Sequence, residues 1–532
     1  VSGTTIGVAY DSATRKIWFA SNNVYANTGN PAAGSGETGT LSGSGTAFPT
    51  VSARGSSDTL TLRFDSSDFV YSAPSGFKEL NTKNLTAPTY QGIDYFDATT
   101  YEGNGGVQRV GDFVPFTDTY TVDKSAMFEY DDRRYLSFTP SSGGNQKTFT
   151  LSFWFKLTGL SDPSYVNAVL TTTGAKQAEI SFRSSGSLKP NDQNLRVSLY
   201  NGSSFVANLT TDRAFAATDG WTNAVIAFDT RTGVAAANKI KIYINGVLQT
   251  TTGTQLSTDD YDTFFNNNQE HNIGRQMSSA IGEADAYFAE MVMVEDQQLD
   301  PSSFGQVDTS TNRWVPKDVS GLTFGDEGWY LEFDGTFNSG LTTGAGKDSS
   351  GNGNHWAEQN DSGSAWATTD RFTDTPSKNF CTWDHGRNAG HTLTEGALKA
   401  TGGAVSSSQF DTGLGTMFVS SGKYYWEINR DNDPAGTDRF RTGVAQDSIA
   451  AVMSSDDRKD FWGLSENGQI HGGGLVLTSG YGVTTTTGDY IGVALDMDRH
   501  AIYFSKNGTW MNSASASGIA DGSDLAKAAH TN

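Results

Sequence analysis

The 532-residue chain contains little of what cross-links a protein or carries it across a membrane. Its single cysteine, Cys381, excludes an internal disulfide, so stability must come from burial and strand pairing. No apolar run approaches the roughly 20 residues that span a bilayer. Basic side chains are also scarce, since 37 Lys and Arg stand against 59 Asp and Glu and the net charge is −22. Such an acidic surface repels phosphate, so we expect no nucleic acid binding, and without an apolar span we expect no membrane insertion.

Helical periodicity is missing as well. No window sustains the 3.6-residue spacing of an amphipathic helix, whereas 60 glycines and 12% aromatic residues suit tight turns between strands. The sequence therefore predicts an all-β protein with few short helices. Its length predicts roughly three domains rather than one core.

A repeat lies near both ends of the chain. Residues 6–25 read IGVAYDSATRKIWFASNNVY and residues 491–510 read IGVALDMDRHAIYFSKNGTW, with eight identities at a constant offset of 485 (491 − 6). Each copy alternates apolar and polar residues, which predicts a half-buried strand that runs into a polar turn. The chain, which starts at Val1 rather than at Met, is expected to be a fragment or processed piece covering about one period of a longer array of modules.

Several segments resemble known β-sandwich families. Residues 421–427 (SGKYYWE), 441–445 (RTGVA) and 491–494 (IGVA) resemble SPRY domains, and residues 149–156, 239–246 and 286–299 resemble a laminin-G/concanavalin-A-like jelly roll. The resemblance implies serial antiparallel β-sandwiches. The expected divisions are a C-terminal part of a SPRY-like sandwich (1–80), a linker (81–124), a jelly roll (125–305), a connector (306–375) and a SPRY-like sandwich that is incomplete at its C-terminal end (376–532).

The connecting phrases carry a further resemblance. Residues 75–82 (SGFKELNT), 299–305 (LDPSSFG), 347–354 (KDSSGNGN) and 374–381 (DTPSKNFC) resemble phrases of bacteriophage tail and fibre proteins. That resemblance implies a virion-exposed structural or host-recognition role. It implies no ligand and no catalytic residue.

Motifs of catalysis are incomplete. Glu283 and Asp285 begin like the E-x-D-x-x-E motif of concanavalin-A-like glycan hydrolases, but Phe288 stands at the third position and Glu290 lies two residues beyond it. Residues 34–39 match G-x-G-x-x-G without a following helix to supply phosphate-binding amides. The seven histidines show no metal-ligand spacing, and Cys381 has no adjacent base. We predict no enzyme and no catalytic residue.

Two acidic loops are candidates for Ca²⁺. Asp348, Ser350 and Asn352 have the one-three-five spacing of such a loop, but Gln359 replaces the expected bidentate Glu. The second loop is residues 259–262 (DDYD). Solvated turns are the favoured interpretation of both, so no metal residue and no cofactor is assigned, with Ca²⁺ as the open alternative.

Binding residues stay unassigned at this point. Trp356 and Trp366 could stack on sugars, although aromatic residues of β-rich chains more often lie in the core, and the Asn201 sequon has no secretory context.

The favoured hypothesis is a virion structural or host-recognition module, namely a phage tail fibre or surface appendage with possible glycan binding. Its expected location is the virion or the extracellular space. Its expected partners are further copies or neighbouring virion subunits, and a host surface receptor or glycan. The alternatives are a bacterial cell-surface adhesin or filament subunit and, less favoured, a polysaccharide depolymerase.

Overall fold

The computed structural model of the chain describes residues 5–11, 13–41, 50–53, 59–63, 69–78, 80, 108–109, 120–130, 132–158, 166–184, 193–276, 284–308, 312–361, 365–367, 370–388, 390–402, 410–432, 440–446, 452–453, 460–472 and 475–531. Two short α-helices lie in these ranges, α1 (Ala236–Lys239) and α2 (Ala516–Asp521). Four 3-10 turns accompany them, at Pro31–Ala33, Ala217–Asp219, Pro301–Ser303 and Leu525–Lys527. In the part of the chain described, no helix is long and apolar enough to cross a membrane.

Strands make up the rest of the regular structure, as the sequence predicts. The first group is β1 (Ile6–Asp11), β2 (Lys16–Ser21), β3 (Val24–Tyr25), β4 (Gly39–Thr40), β5 (Thr50–Ala53), β6 (Thr59–Arg63) and β7 (Gln108–Arg109). The second group is β8 (Ser125–Phe128), β9 (Arg134–Phe138), β10 (Thr148–Leu157), β11 (Val166–Thr172), β12 (Gln177–Ser184), β13 (Gln193–Tyr200), β14 (Phe205–Phe215), β15 (Thr222–Asp229), β16 (Ile240–Ile244), β17 (Val247–Leu248), β18 (Thr251–Thr254), β19 (His271–Ile273), β20 (Ala286–Glu295), β21 (Gly305–Asp308), β22 (Arg313–Pro316), β23 (Trp329–Leu331), β24 (Ala357–Asn360) and β25 (Arg371–Phe372).

The last group is β26 (Trp383–Asn388), β27 (Thr392–Thr394), β28 (Lys399–Thr401), β29 (Phe410–Asp411), β30 (Gly413–Gly415), β31 (Met417–Phe418), β32 (Lys423–Arg430), β33 (Phe440–Ala445), β34 (Val452–Met453), β35 (Phe461–Ser465), β36 (Ile470–Gly472), β37 (Leu475–Thr478), β38 (Tyr490–Asp496), β39 (Ala501–Lys506), β40 (Thr509–Trp510) and β41 (His530–Thr531). The strand pair expected around Tyr101 and Val110 falls outside the described residues. The chain forms two compact units, one built from the second group of strands and the other from the first and last groups together.

The unit of the second group is a jelly roll of two sheets. One sheet has the order β17-β16-β15-β10-β20-β8-β25, with β23 also on β20, and is called the covered sheet below. The other has the order β18-β14-β13-β12-β11-β19-β9-β24 and is called the open sheet. Apolar side chains from both sheets form one buried core, among them Phe153 of β10, Phe182 of β12 and Val197 of β13. Burying each such side chain contributes roughly 1.5–3 kcal/mol.

Strand alternation explains why these segments pair as they do. On β10, Phe149, Leu151 and Phe153 enter the core at every second position. The predicted hairpin after β16 is present, because Asn245 and Gly246 have φ of 48° and 82°, the positive values that a type I′ turn requires.

Much of the outer face of the covered sheet is itself buried. Trp154, the exception to the alternation of β10, packs there with Val122 and Ala289. Residues of the predicted connector, including Phe324 and Tyr330, cover the neighbouring part of that face. The covered sheet is therefore packed over most of both faces. The open sheet, in contrast, turns part-exposed polar side chains outward along its central strands.

In the other unit, one sheet contains both copies of the repeat, and its main path runs β27-β28-β6-β32-β1-β2-β3. Its second large sheet has the order β26-β30-β5-β33-β35-β36-β37. The copies pair in the same register, since Val8 opposes Phe19 on β1–β2 and Val493 opposes Phe504 on β38–β39. Residues related by the constant sequence offset therefore occupy equivalent positions in the two hairpins.

The two copies also contact each other. Equivalent aromatic rings stack, with centroid distances of 3.6 Å for Phe19 and Phe504 and 4.4 Å for Tyr25 and Trp510. β38 pairs along most of β32, whereas β1 meets β32 only between Asp11 and Lys423. β32 also pairs with β6, so strands from before the jelly roll lie in one sheet with strands from after it.

Candidate functional site: a groove on the open sheet

A groove of about 210 Å³ lies on the outer face of the open sheet, over β12, β13 and the start of β14. Its position follows from strand alternation. Ala178, Ile180 and Phe182 of β12 point into the core, which turns Glu179 and Arg183 outward. Its lining is mostly polar and consists of Gln177, Glu179, Arg183, Arg196, Ser198, Tyr200, Phe205 and Gln276.

A hydrogen-bond network around Glu179 forms the floor of the groove. Arg183 donates to Glu179 Oε1 from both Nε and Nη2, at 3.2 and 2.8 Å. The Ser181 hydroxyl donates to the same oxygen at 2.6 Å, and Gln276 Nε2 donates to Oε2 at 3.2 Å. Burial alone would raise the pKa of Glu179, but the Arg183 charge and these hydrogen bonds outweigh it and hold that pKa below its usual value. Glu179 is therefore a fixed anion that orients Arg183.

Arg196 and two aromatic rings form the wall. Arg196 Nε donates to Asn208 Oδ1 at 2.6 Å, and its guanidinium carbon lies 5.0 Å from the centre of the Phe205 ring. Tyr200 opposes Phe205 in the register of β13 and β14, and their ring centres are 5.3 Å apart. Phe205 is 49% exposed, whereas the other large hydrophobic side chains exposed in the described part of the chain are valines and leucines. The pairing thus holds an exposed ring against a positioned guanidinium.

Two guanidinium groups share this small space. Arg183 opposes Asn194 on β13, which makes it a diagonal neighbour of Arg196, two residues further on. Burial lowers the pKa of Arg196, the nearby positive charge of Arg183 lowers it further, and Glu179 partly opposes both effects. The groove lining therefore has two cations against one anion and a net positive charge within a chain of net charge −22.

The arrangement suits recognition of a small polar ring. Most ligand pockets enclose about 300–1,000 Å³, so this groove would hold one or two rings at the surface rather than engulf a ligand. An exposed aromatic ring stacks on an apolar C–H face, while arginine and amide groups donate to oxygen atoms around the rim. A sugar ring has both features.

The comparisons with known proteins agree with this fold. The profile described as the concanavalin A-like lectin/glucanases superfamily matches residues 131–296, and the SPRY domain profile matches residues 423–519. The chain therefore carries a concanavalin A-like domain and a SPRY domain. The groove lies in the concanavalin A-like domain.

Among solved structures, the chain is similar to a protein of Bacteroides ovatus described as a putative carbohydrate binding protein, at 15% identity and a TM-score of 0.30, covering 47% of this chain and 62% of that one. It thus spans less than two thirds of that protein. It is also similar to domains LG4-5 of the mouse laminin α1 chain, at 8% identity and a TM-score of 0.26, covering 77% and 81%. A third is tailspike protein 2 of Escherichia coli O157:H7 bacteriophage CAB120, at 10% identity and a TM-score of 0.23, covering 32% and 22%. No curated protein sequence matches the chain.

The described positions of the incomplete hydrolase motif do not line the groove. Glu283 lies outside the described residues, and Phe288 is in the core of the concanavalin A-like domain. Asp285 accepts a hydrogen bond from the Tyr130 backbone N–H at 2.8 Å. Glu290 lies on the covered sheet, where Tyr330 of the connector contacts it. The described positions serve the fold of the final strand.

Glu290 is a strongly perturbed acid of the concanavalin A-like domain. β20 bulges there against β10, and Glu290 takes a φ of 48°, which is rare outside glycine. Its Oε2 accepts hydrogen bonds from the hydroxyls of Tyr330 and Tyr120, at 2.6 and 2.9 Å. Burial raises the pKa of Glu290 to about 7, and the two tyrosine hydrogen bonds only partly oppose this.

We expect Glu290→Gln to flatten the pH dependence of stability. The folded pKa of about 7 lies above the ordinary value of 4.5, so the stability that protonated Glu290 contributes is lost as pH rises through that window. Glutamine can still accept from a tyrosine but cannot ionise. Urea unfolding near pH 8 should show a variant more stable than the native chain by up to about 3 kcal/mol, with the gap closing toward pH 5. Parallel curves across this pH range would contradict the assignment.

The first predicted Ca²⁺ loop is closed by hydrogen bonds. Asp348 Oδ1 accepts from the backbone N–H groups of Tyr330 and Ser350, each at 2.9 Å. Its Oδ2 accepts from the Ser350 hydroxyl at 2.8 Å and the Asn354 N–H at 2.9 Å. A carboxylate so occupied positions the loop, and the Asp348 backbone N–H in turn donates to His355 Nδ1 at 2.9 Å.

Other acidic groups carry cationic partners. In the loop at residues 259–262, Asp259 pairs with Lys239. In the unit with the SPRY domain, ligand atoms of Asp11, Asp496 and Asp498 lie within 4.8 Å of one another. Lys423 contacts Asp11, and Arg499 lies 3.6 Å from Asp496. Cationic side chains therefore lie beside this group of carboxylates.

The aromatic candidates from the sequence, Trp356 and Trp366, are buried core residues. Sequence reasoning missed Phe205 and Arg196 instead. The signal was present, because Arg196, Ser198 and Tyr200 occupy the outward positions of a strand whose inward positions from residue 195 to residue 199 are all apolar. The Asn201 turn joins that strand to Phe205, as the Asn201 side chain accepts from the backbone N–H groups of residues 203 and 204.

Proposed function

We propose that the concanavalin A-like domain binds a glycan in the groove of the open sheet, and that the chain is a host-recognition module of a virion appendage. One observation carries the proposal for the groove. The exposed Phe205 ring lies beside the Arg196 guanidinium on an outward face of the jelly roll, and Arg183 lines the same groove. Because the covered sheet is packed over most of both faces, the open sheet supplies the accessible surface.

Binding is proposed rather than hydrolysis. Glycoside hydrolysis uses two carboxyl groups placed across one bond. Among the described residues, the groove lining has a single carboxylate, Glu179, and Arg183 holds it as an ion pair at 2.8 Å. A carboxylate held in this way is a poor proton donor. We expect no release of reducing ends when the chain is incubated with the polysaccharide that it binds.

The virion part of the proposal rests on the connecting phrases and on the serial organisation. Resemblance to tail and fibre proteins at residues 299–305, 347–354 and 374–381 favours an appendage, and the combination of a concanavalin A-like domain with a SPRY domain in one chain favours different modules in series. Such a module would act outside the cell, on the virion surface. Its partners would be further copies or neighbouring subunits and a host glycan or receptor. A bacterial adhesin with similar domains is the competing assignment.

Phe205→Ala tests the groove. Removing the ring deletes the stacking platform, and we expect oligosaccharide affinity to fall about tenfold or more, as for other central aromatic contacts. Leu248→Ala is the matched control, since Leu248 is 58% exposed at a hairpin of the covered sheet. Binding to an immobilised panel of bacterial surface oligosaccharides measures both. Equal binding by the two variants would contradict the proposed site.

The gene neighbourhood tests the virion assignment. We expect capsid and tail genes beside the full reading frame, and the chain among the proteins of purified particles by mass spectrometry. A cell-wall anchor in the reading frame, with the protein on bacterial cells, would assign it to the adhesins instead.

A further inference from the structure

We infer that the groove of the open sheet selects acidic sugars, with Arg183 and Arg196 receiving the sugar carboxylate and Phe205 stacking on its ring. This inference rests on the proposed glycan binding and adds the ligand class. It depends on three features of the groove: unused donors, uncompensated positive charge and the placement of the ring.

The unused donors belong to the two arginines. Arg183 donates hydrogen bonds from Nε and Nη2 to Glu179, and Arg196 donates one from Nε to Asn208. Within the described residues, the Nη atoms of Arg196 and Nη1 of Arg183 have no protein hydrogen-bond partner. The Arg183 side chain is 31% exposed and lines the groove. A guanidinium edge matches the two oxygens of a carboxylate, which makes this pair of donors specific for a planar anion.

The net positive charge of the groove favours an anionic ligand over a neutral one. Glu179 neutralises one of the two guanidinium groups, and the remaining positive charge raises the cost of holding Arg183 and Arg196 as diagonal neighbours. A bound carboxylate removes that repulsion, whereas a neutral sugar leaves it in place. Burial is the largest cause of the lowered pKa of Arg196, and the repulsion from Arg183 lowers that pKa further.

The ring fixes the orientation of the sugar. The Arg196 guanidinium carbon lies over the Phe205 ring, 5.0 Å from its centre, so a sugar that packs on the exposed part of the ring lies next to the guanidinium. With about 210 Å³ available, one acidic ring is held and the rest of the chain extends over the sheet. Gln177 and Ser198, also in the lining, are placed to meet hydroxyl groups.

Isothermal titration of the full chain tests the inference, in buffer near physiological salt. The probes are tetragalacturonate against its carboxyl-reduced form, and 3′-sialyllactose against lactose. The two pairs distinguish a uronic acid from a terminal sialic acid as the source of the carboxylate. We expect at least one acidic probe to bind about tenfold or more tightly than its neutral counterpart.

Variants assign the preference to named residues. Arg196→Gln should lower the affinity for the acidic probe to the level of the neutral probe. Arg196→Lys keeps the positive charge but loses the bidentate guanidinium, so it should retain part of the preference for the acidic probe. Arg231→Gln is the matched control, because Arg231 is largely exposed in an ion pair with Asp229, at the end of a strand of the covered sheet. Circular dichroism of each variant verifies the fold.

The outcomes separate the two proposals. Equal affinity for acidic and neutral probes, with loss of both in Phe205→Ala, would overturn the acidic class and leave glycan binding standing. No binding to these probes or to the oligosaccharide panel by the folded chain would overturn both. An acidic preference that survives in Arg196→Gln would overturn the assignment to this arginine pair.

Discussion

Replacing Asp374 by alanine is expected to destabilise the jelly roll by about 3–5 kcal/mol, since it breaks a buried ion pair and removes the carboxylate that faces the Lys156 charge. Asp374 Oδ2 lies 2.7 Å from Lys156 Nζ, and both side chains are 0% exposed. Trp221 Nε1 donates to Oδ1 at 2.7 Å, so the variant also removes the acceptor of that indole donor. The expected fall in the melting temperature of this unit is about 10 °C.

The chain offers a matched control for this variant. Asp334 and Lys347 form an ion pair at 3.4 Å whose side chains are 51% and 36% exposed. Solvent screens such a pair, so Asp334→Ala should cost less than about 1 kcal/mol. A double variant, Lys156→Met with Asp374→Leu, removes both buried charges and should recover most of the loss. Equal melting of Asp374→Ala and Asp334→Ala would show that the pair contributes nothing.

The ion pair between Lys156 and Asp374 shows what the connecting segment at residues 374–381 does in the structure. Asp374 opens the phrase at residues 374–381, and Ser377 within it accepts a hydrogen bond from the Val122 N–H at 2.9 Å. The Ser125 hydroxyl donates to the Asp374 carbonyl at 2.6 Å. The phrase therefore fastens the chain to the edge of the jelly roll as it leaves, which needs a defined set of polar residues.

The sequence predicts the structure where apolar and polar residues alternate with a period of two along a strand. Residues 149–156 alternate because one face of β10 lies in the core, and the register of β1–β2 and β38–β39 follows from the same pattern in both repeats. The turn at Asn245 and Gly246 was readable because few residues tolerate positive φ. The domain divisions drawn from the sequence stay predictions.

The groove could not be read in this way. Its lining comes from three strands and from Gln276, whose approach is decided by how the sheet folds rather than by any local pattern. A polar residue at an outward position is also the ordinary case. The site is distinguished by an exposed aromatic ring, Phe205, in one groove with two guanidinium groups, Arg183 and Arg196. These residues lie on different strands and come together only when the sheet folds.

The Leu62→Pro variant is expected to unfold the sandwich that contains the SPRY domain while sparing the jelly roll. β6 lies between β28 and β32, where Leu60 opposes Ala400 and Leu62 opposes Ile428. Proline lacks the backbone N–H and is excluded from central strands, so the ladder breaks at a cost of about 3 kcal/mol or more.

Hydrogen exchange distinguishes the two units in this variant. Amides of β32 should lose protection in Leu62→Pro, whereas those of β10 should keep it. Val70→Pro is the matched control, because Val70 is exposed at a bend of the same N-terminal segment. If β32 stays protected in Leu62→Pro, the strands before the jelly roll do not stabilise the sheet that follows it. The two repeats would then belong to separate modules, and the shared register of their hairpins would reflect duplication alone.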